Sequence, residues 1–262
     1  MPAHRVFITG ASSGIGSSLA RYYASQGAAL GLAARRGEQL QALAEKLSGA
    51  GAASVSCYPL DVTDAAALQA AAEDFMVHSG TPDIVIANAG VSSGTLTECR
   101  EDLDVIRRIL DINVFGIAAT FSPFIPAMRQ SAKEGHPGKL VGIASVAGIR
   151  GLPGAEAYSA SKAAAISYLE SLRLEMRSSG IKVVTIAPGY IETPMTAINP
   201  YPMPFMLPAA EAARRFARAI ERGASYSVIP WQMGVVAKGL RLLPNWLYDR
   251  LFANAPRKPR NS

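Results

Sequence analysis

The sequence contains few cysteines, histidines and aromatic residues. Its 262 residues include two cysteines and three histidines, and aromatic residues make up 7% of the chain. Cys57 and Cys99 show neither metal-binding nor redox spacing, so we expect reduced thiols and no metal site.

Long hydrophobic runs are also absent. No segment reaches the roughly 18 uninterrupted apolar residues that indicate a membrane-spanning helix. The first residues, "MPAHRVFITG", contain no apolar run of signal-peptide length and lead directly into strand-like sequence. We therefore expect a cytoplasmic protein, and any association with a membrane would be at the surface.

Charge is scarce and unevenly placed. Charged residues make up 18% of the chain and the formal net charge is +6. Residues 238–262 hold six basic side chains and one acidic side chain, so most of the excess positive charge lies in this segment. A basic segment can meet anionic lipid or nucleic acid. Because no other basic patch or aromatic platform supports it, we expect no nucleic-acid partner.

Apolar residues, in contrast, are abundant at 49% and follow a regular pattern. Short runs rich in Val and Ile alternate with helical spacing, which is typical of a parallel sheet covered on both faces. One long helix is predicted over about 101–131. The fold class is therefore α/β, a three-layer, doubly wound parallel sheet of Rossmann type in a single domain. The six predicted strands are residues 5–10, 30–34, 54–62, 83–90, 139–148 and 182–189.

In such folds the ligand crevice lies beyond the carboxyl ends of the strands. The first strand is followed by "TGASSGIG", in which Gly10, Gly14 and Gly16 allow a tight turn before a helix N-terminus that could bind a pyrophosphate. Arg35 and Arg36 follow the second strand, where an acid would favour NAD and an arginine favours the 2′-phosphate of NADP. A structural turn and two solvated charges are the alternatives.

Ser145 follows the fifth strand, and Tyr158 and Lys162 lie one helical turn apart on the next helix. A phenol has an ordinary pKa of about 10, and a nearby ammonium should lower it. A serine hydroxyl could hold a carbonyl oxygen while the tyrosine donates its proton. Ser159 with Lys162 also matches the S-x-x-K motif of serine acylases, but the companion motifs of those enzymes are absent.

Taken together, "TGASSGIG", "ANAG", "LDINVFG", "YSASK" and "PGYIET" resemble the motifs of the short-chain dehydrogenase/reductase family over about residues 4–195. The resemblance implies an oxidoreductase that transfers a hydride between NADP(H) and a carbonyl or secondary alcohol. The alternatives are use of NAD(H), a non-catalytic nucleotide-binding regulator and a Ser-Lys hydrolase.

The resemblance also implies roles for individual residues. Tyr158 would be the general acid in reduction, and Lys162 would lower its pKa and contact the nicotinamide ribose. Ser145 would orient the carbonyl, and Asn113 would hold a water in a proton relay. Besides Tyr158 and Lys162, the implied cofactor-binding residues are Gly10, Ser12, Ser13, Gly14, Ile15, Gly16, Arg35, Arg36, Asp61, Val62, Asn88, Ala89, Gly90, Pro188, Gly189, Ile191 and Thr193.

The chain divides into a catalytic domain, residues 1–230, and a basic, apolar C-terminal extension, residues 231–262. Within the domain, residues 190–212 match the family's substrate loop, and Met195, Met203, Phe205 and Met206 suggest a hydrophobic substrate. Ordinary packing within the loop is the alternative interpretation of these four residues. The extension could serve as a lid, a subunit contact or a peripheral membrane contact. Relatives in the family form homodimers and homotetramers through the helices at about 101–131 and 157–178, so we expect a homo-oligomer.

Overall fold

A computed structural model describes residues 4–260 and confirms the three-layer α/β sandwich in one domain. Seven parallel strands form the central sheet in the order β3-β2-β1-β4-β5-β6-β9, and β7 pairs with β8 in a small second sheet. The strands are β1 (Arg5–Thr9), β2 (Ala29–Ala34), β3 (Ser54–Pro59), β4 (Ile84–Ala87), β5 (Lys139–Ile143), β6 (Lys182–Pro188), β7 (Ile191–Glu192), β8 (Leu207–Pro208) and β9 (Tyr226–Ile229).

Helices cover both faces of the sheet, as the apolar strands require. Leu19, Leu32 and Phe216 belong to a core cluster on one face, and Phe7, Phe75 and Leu169 to the cluster on the other. The α-helices are α1 (Gly14–Ser25), α2 (Gly37–Ser48), α3 (Ala65–Ser79), α4 (Asp102–Leu110), α5 (Gly116–Phe121), α6 (Ile125–Lys133), α7 (Glu156–Glu175), α8 (Pro194–Ala197), α9 (Ala209–Glu221), α10 (Trp231–Leu242) and α11 (Asn245–Phe252).

The prediction of a single long helix over residues 101–131 is wrong. The chain instead forms α4, a π-helical turn at residues 111–115, α5 and then α6, which is bent by 41° from the preceding helical stretch. Pro123 and Pro126 lie at the break, where a proline removes a helical hydrogen bond and favours a new helix start. Within residues 4–260 no single helix has both the length and the apolar composition of a membrane span, whereas this bent pair reaches both when taken together.

Two core elements have no counterpart in the predicted pattern. Helix α9 buries Ala213, Phe216 and Ile220 against α1, and the short strand β9 pairs with β6 at the sheet edge. The third strand also ends at Pro59 rather than near residue 62. The sheet therefore has one more strand than the six expected.

The C-terminal extension forms α10 and α11, which are separated by Leu243 and Pro244. On α10, Val235 is 61% exposed and Val236 is 42% exposed, so neither side chain packs fully against the domain. Met233 and Ala237 are buried instead. A methyl carbon added to Gly189 would lie 2.6 Å from Met233 Cγ, so α10 packs directly on the end of β6.

Candidate active site

A groove runs along the carboxyl edge of the sheet, above the point where β1 lies between β2 and β4. The chain leaves β1 toward one side of the sheet and returns through β4 on the other, which is the usual position of a ligand crevice in an open α/β fold. The groove encloses about 390 Å³. Its walls come from the turns after β1, β2, β3, β4, β5 and β6.

The turn after β1 requires glycines because its backbone packs closely against neighbouring backbone. A backbone without side chains can also approach a dinucleotide closely. Gly10 and Gly14 have φ angles of +66° and +57°, which favour glycine. A methyl carbon on Gly10 would lie 2.8 Å from Ala89 Cα, and one on Gly16 only 2.3 Å from Gly10 O. Asn88 Nδ2 donates to Thr9 O at 3.0 Å and so ties this turn to β4. The start of α1 thereby faces the groove, where its free N–H groups can bind a pyrophosphate.

Two arginines lie at the end of the groove beyond β2. The Arg36 guanidinium donates to Ser12 Oγ at 3.2 Å and to Ser13 Oγ at 2.8 Å. Arg35 Nη1 lies 3.8 Å from Asp61 Oδ2 in a half-exposed ion pair. The guanidinium groups and serine hydroxyls together provide the donors that a phosphate group requires. Asp61 is placed to neutralise one of the two positive charges.

Most of the other cofactor-binding positions implied by the resemblance also line the groove. They are Gly10, Gly14, Ile15, Val62, Asn88, Ala89, Gly90, Pro188, Gly189, Ile191 and Thr193. Gly16 lies behind the turn, where it allows α1 to approach Gly10. The wall also contains residues that the sequence did not single out for this site: Leu60, Val91, Ile112, Ile143, Ala144, Pro194 and Thr196.

Tyr158, Ser145 and Lys162 meet at the opposite end of the groove from the arginines. Ser145 lies two residues beyond the end of β5, and its Oγ accepts a hydrogen bond from Ala147 N at 3.1 Å. Lys162 Nζ lies 5.9 Å from the centroid of the Tyr158 ring and donates to Ile143 O at 2.9 Å. The β5 carbonyl thus fixes the ammonium beside the phenol.

Burial dominates the titration of this pair. It raises the pKa of Tyr158, although the hydrogen bond with Ser145 acts in the opposite direction. Burial also lowers the pKa of Lys162 to about 8. The expectation of a lowered tyrosine pKa is therefore wrong for the protein alone, because removal of water from the phenolate outweighs the stabilising contacts. Both shifts favour a neutral phenol that can donate a proton.

Asn113 is fully buried in the π-helical turn and does not line the groove. Its Nδ2 donates to Val91 O at 3.0 Å and to Ser161 Oγ at 2.9 Å, while its Oδ1 accepts from Val91 N at 2.9 Å. Ser161 in turn donates to Tyr158 O at 2.8 Å. Asn113 therefore connects the turn after β4 to the catalytic helix. Both contacts of its amide nitrogen are thus made within the protein.

Ser159 does not form a nucleophile pair with Lys162. It is buried, and its Oγ accepts from Leu152 N at 3.3 Å, whereas the lysine ammonium donates to Ile143 O. The Ser-Lys alternative thus lacks the contact it needs. Within residues 4–260 no three His, Cys, Asp or Glu side chains are grouped so that they could hold a metal ion.

Comparison with known proteins agrees with this geometry. The chain is 41% identical over 249 residues to an uncharacterized oxidoreductase of Myxococcus xanthus, covering 95% of this chain and 96% of that protein. It is 38% identical over 221 residues to 11-beta-hydroxysteroid dehydrogenase-like 2 of Arabidopsis thaliana, covering 83% and 69%. A 3-ketoacyl-(acyl-carrier-protein) reductase from Brucella melitensis, solved with NADH, superposes with a TM-score of 0.77 at 25% identity, covering 86% and 96%. The family model described as short chain dehydrogenase matches residues 4–200, so the chain belongs to the short-chain dehydrogenase/reductase family.

Proposed function

We propose that the protein is an NADP(H)-dependent reductase of a hydrophobic carbonyl compound, or a dehydrogenase of the corresponding alcohol. The observation that carries the proposal is one groove with Arg36, Ser12 and Ser13 at one end and Tyr158, Ser145 and Lys162 at the other. A phosphate-bearing dinucleotide fits the first end, and a carbonyl compound fits beside the second.

When bound, the nicotinamide cofactor supplies or accepts the hydride. In reduction, Tyr158 would donate its phenolic proton to the substrate oxygen as that oxygen gains charge. Ser145 would hold the same oxygen, and the Lys162 ammonium would stabilise the phenolate that remains. Burial of Tyr158 serves this direction, because it keeps the phenol protonated until the substrate oxygen needs the proton.

The preference for NADP(H) rests on the arginines. Arg36 has no acidic partner among the ion pairs of residues 4–260, and two serine hydroxyls hold it at the glycine-rich turn. A 2′-phosphate placed there would form charge-assisted hydrogen bonds. The alternative is NAD(H), which the Brucella melitensis reductase holds, since Asp61 could bind a ribose hydroxyl if Arg35 turned away.

The hydrophobic substrate is inferred from the loop between β7 and α9. Met195, Phe205 and Met206 are 37%, 50% and 45% exposed on this loop, and Met195 lines the groove. Unpacked methionine and phenylalanine side chains offer an adaptable apolar surface. We expect long-chain or bulky ketones to be reduced better than small polar ones.

Steady-state reduction of a ketone series with NADPH and NADH tests these assignments. Loss of one charge-assisted phosphate contact costs about 1.5–3 kcal/mol, so Arg36→Ala should lower kcat/KM for NADPH about 10- to 100-fold. The value for NADH should change much less. Arg222→Ala, an exposed arginine that does not line the groove, is the matched control. A wild-type preference for NADH, or no turnover of any ketone, would contradict the proposal.

A further inference from the structure

The last described residues return to the catalytic end of the groove. This C-terminal tail, residues 253–260, crosses the loops that follow β4 and β5. Gly94 N donates to Pro259 O at 3.0 Å, and a methyl carbon on Gly94 would lie 2.2 Å from Lys258 O. A methyl carbon on Gly154 would lie 2.9 Å from Arg257 Cβ. Glycines in both loops therefore make room for the tail.

An ion pair fixes the end of the tail. Arg260 donates to both oxygens of Asp102, at 2.9 and 3.2 Å, and to Glu101 at 3.1 Å. Asp102 is buried and also accepts from Leu96 N at 2.7 Å. The hydrogen bonds from Arg260 lower the pKa of Asp102. Pro256 and Pro259 restrict the backbone on either side of Lys258, so less conformational freedom is lost when the tail docks.

Lys258 is the residue that this arrangement brings to the active site. Its Nζ lies 6.0 Å from the centroid of the Tyr158 ring, almost the same distance as that of Lys162. It donates to Ser92 Oγ at 2.9 Å, and none of the ion pairs among residues 4–260 includes it. The side chain is partly buried, and burial lowers its pKa.

An ammonium has three N–H donors, and the only side-chain hydrogen bond of Lys258 within residues 4–260 is to one hydroxyl, so donors and an unbalanced charge remain to bind an anion. Arg260, on the same tail, already has its carboxylates, so the tail does not need Lys258 for anchoring. An anion that reached Lys258 would lie beside the phenol that donates the catalytic proton. The position therefore belongs to the substrate rather than to the cofactor phosphates at the other end of the groove.

We propose that Lys258 and Ser92 form an anion subsite that selects carbonyl substrates carrying a carboxylate a few bonds from the reacting ketone. This inference rests on the proposed function and specifies its substrate as an oxo acid. One ammonium and one hydroxyl match the two oxygens and single charge of a carboxylate, whereas a phosphate with its larger charge would require more donors. The apolar loop around Met195 would accommodate the rest of the chain, so the substrate is amphipathic.

Competition between oxo acids and their methyl esters tests the subsite. The probes are straight-chain oxo acids with one to four carbons between ketone and carboxylate, each compared with its ester, which has the same ketone and no charge. A charge-assisted contact is worth about 1.5–3 kcal/mol. Wild type should therefore show an acid-to-ester ratio of kcat/KM of about tenfold or more for at least one chain length.

Lys258→Met removes the charge and keeps most of the apolar stem, so the ratio should fall to near one, and Lys258→Arg should restore part of it. Lys46→Met, an exposed lysine on α2, should keep the wild-type ratio. Arg260→Met removes the ion pair that fixes the tail, so Lys258 would no longer be held beside Tyr158 and the ratio should fall.

A ratio near one in wild type, or an unchanged ratio in Lys258→Met, would overturn the proposed subsite, while turnover of the esters would still support the proposed reductase activity. No reduction of any acid or ester with either cofactor overturns the proposed function itself.

Discussion

At the residue scale, the proposed reaction depends most directly on the phenol of Tyr158. Its hydroxyl is the proton donor of the proposed reaction, and phenylalanine retains the ring while removing that proton. We predict that Tyr158→Phe lowers turnover about 10²- to 10⁴-fold, the usual contribution of a general acid. Cofactor affinity, measured by fluorescence titration with NADPH, should change little. A variant that turns over at a rate near wild type would refute the assignment.

Lys162 has a consequence for stability as well as for catalysis. Its pKa is about 8 in the fold, below the ordinary 10.5, so the unfolded chain binds more protons between those two values. Stability rises with pH wherever the unfolded state binds more protons. The contribution of Lys162 is therefore least favourable below about pH 8, and it improves as the pH rises toward 10.5.

We predict that wild type gains stability relative to Lys162→Met between about pH 8 and pH 10.5, by on the order of 3 kcal/mol. The lost hydrogen bond to Ile143 O shifts the difference by a constant and does not change its slope. Denaturant unfolding of both proteins without cofactor, at several pH values, measures this difference. A difference that stays flat across the range would show that Lys162 keeps an ordinary pKa.

The positions of these residues were predictable to different degrees. Gly10 and Ser145 follow strand ends, and Tyr158 and Lys162 lie one turn apart on a helix. Local sequence pattern was sufficient to predict all four. Lys258 was not predictable as a site residue, because its approach to Tyr158 depends on tertiary contacts between segments about 100 residues apart. The raised pKa of Tyr158 was missed for a related reason, since burial depends on the whole fold.

At the scale of elements, sequence pattern succeeded where burial is continuous. Strands β1, β4 and β6 are buried along nearly their whole length, and each was predicted within a few residues. Strand β9 is a four-residue edge strand with two partly buried positions, which gives a weak signal. The helical stretch 101–131 is apolar enough to suggest continuity, but the prolines near residue 124 interrupt its hydrogen bonds.

Arg150 is one of the side chains that connect α10 and α11 to the domain. Arg150 Nη1 donates to Leu240 O and to Leu243 O, both at 2.8 Å. Its guanidinium also stacks 4.0 Å above the ring of Tyr248. These carbonyls end α10, so Arg150 satisfies groups that the helix leaves open.

We predict that Arg150→Ala increases amide hydrogen exchange selectively over residues 240–252, while protection of the strands changes little. Several shared hydrogen bonds and a cation–π contact would be lost, which together are worth about 2–3 kcal/mol. Hydrogen exchange followed by mass spectrometry measures the change. Arg177→Ala, an exposed arginine near the end of α7, is the control. Equal exchange in the variant and wild type would contradict this role.

At the scale of the whole molecule, apolar side chains remain exposed on two helices that pack together. Leu103 on α4 is 52% exposed, and Leu174 on α7 is 59% exposed. The family resemblance led us to expect association through these two helices. Large apolar side chains that stay exposed on these helices could be buried by contact with another chain.

We predict that the protein is a homodimer or homotetramer and that Leu103→Arg with Leu174→Arg shifts it toward the monomer. A buried arginine without a partner is strongly unfavourable in an interface. Analytical ultracentrifugation measures the change. Val77→Arg, at an 82% exposed position on α3, should leave the assembly unaltered. A wild-type monomer, or an oligomer unaffected by both leucine substitutions, would exclude this interface.

The order of the sheet has one more consequence. The strands β1 to β3 come from one continuous stretch of chain and the strands from β4 onward from another, and the two stretches meet where β1 pairs with β4. The groove draws on both, from Gly10 to Asp61 on one side and from Asn88 to Thr193 on the other. A dinucleotide lying across it would join the two stretches and oppose their separation. At a hundred times its dissociation constant such a ligand adds about 2.7 kcal/mol to the stability of a fold. At equal concentrations of NADPH and NADH, the cofactor that this protein prefers should therefore be the one that raises the melting temperature of the fold more.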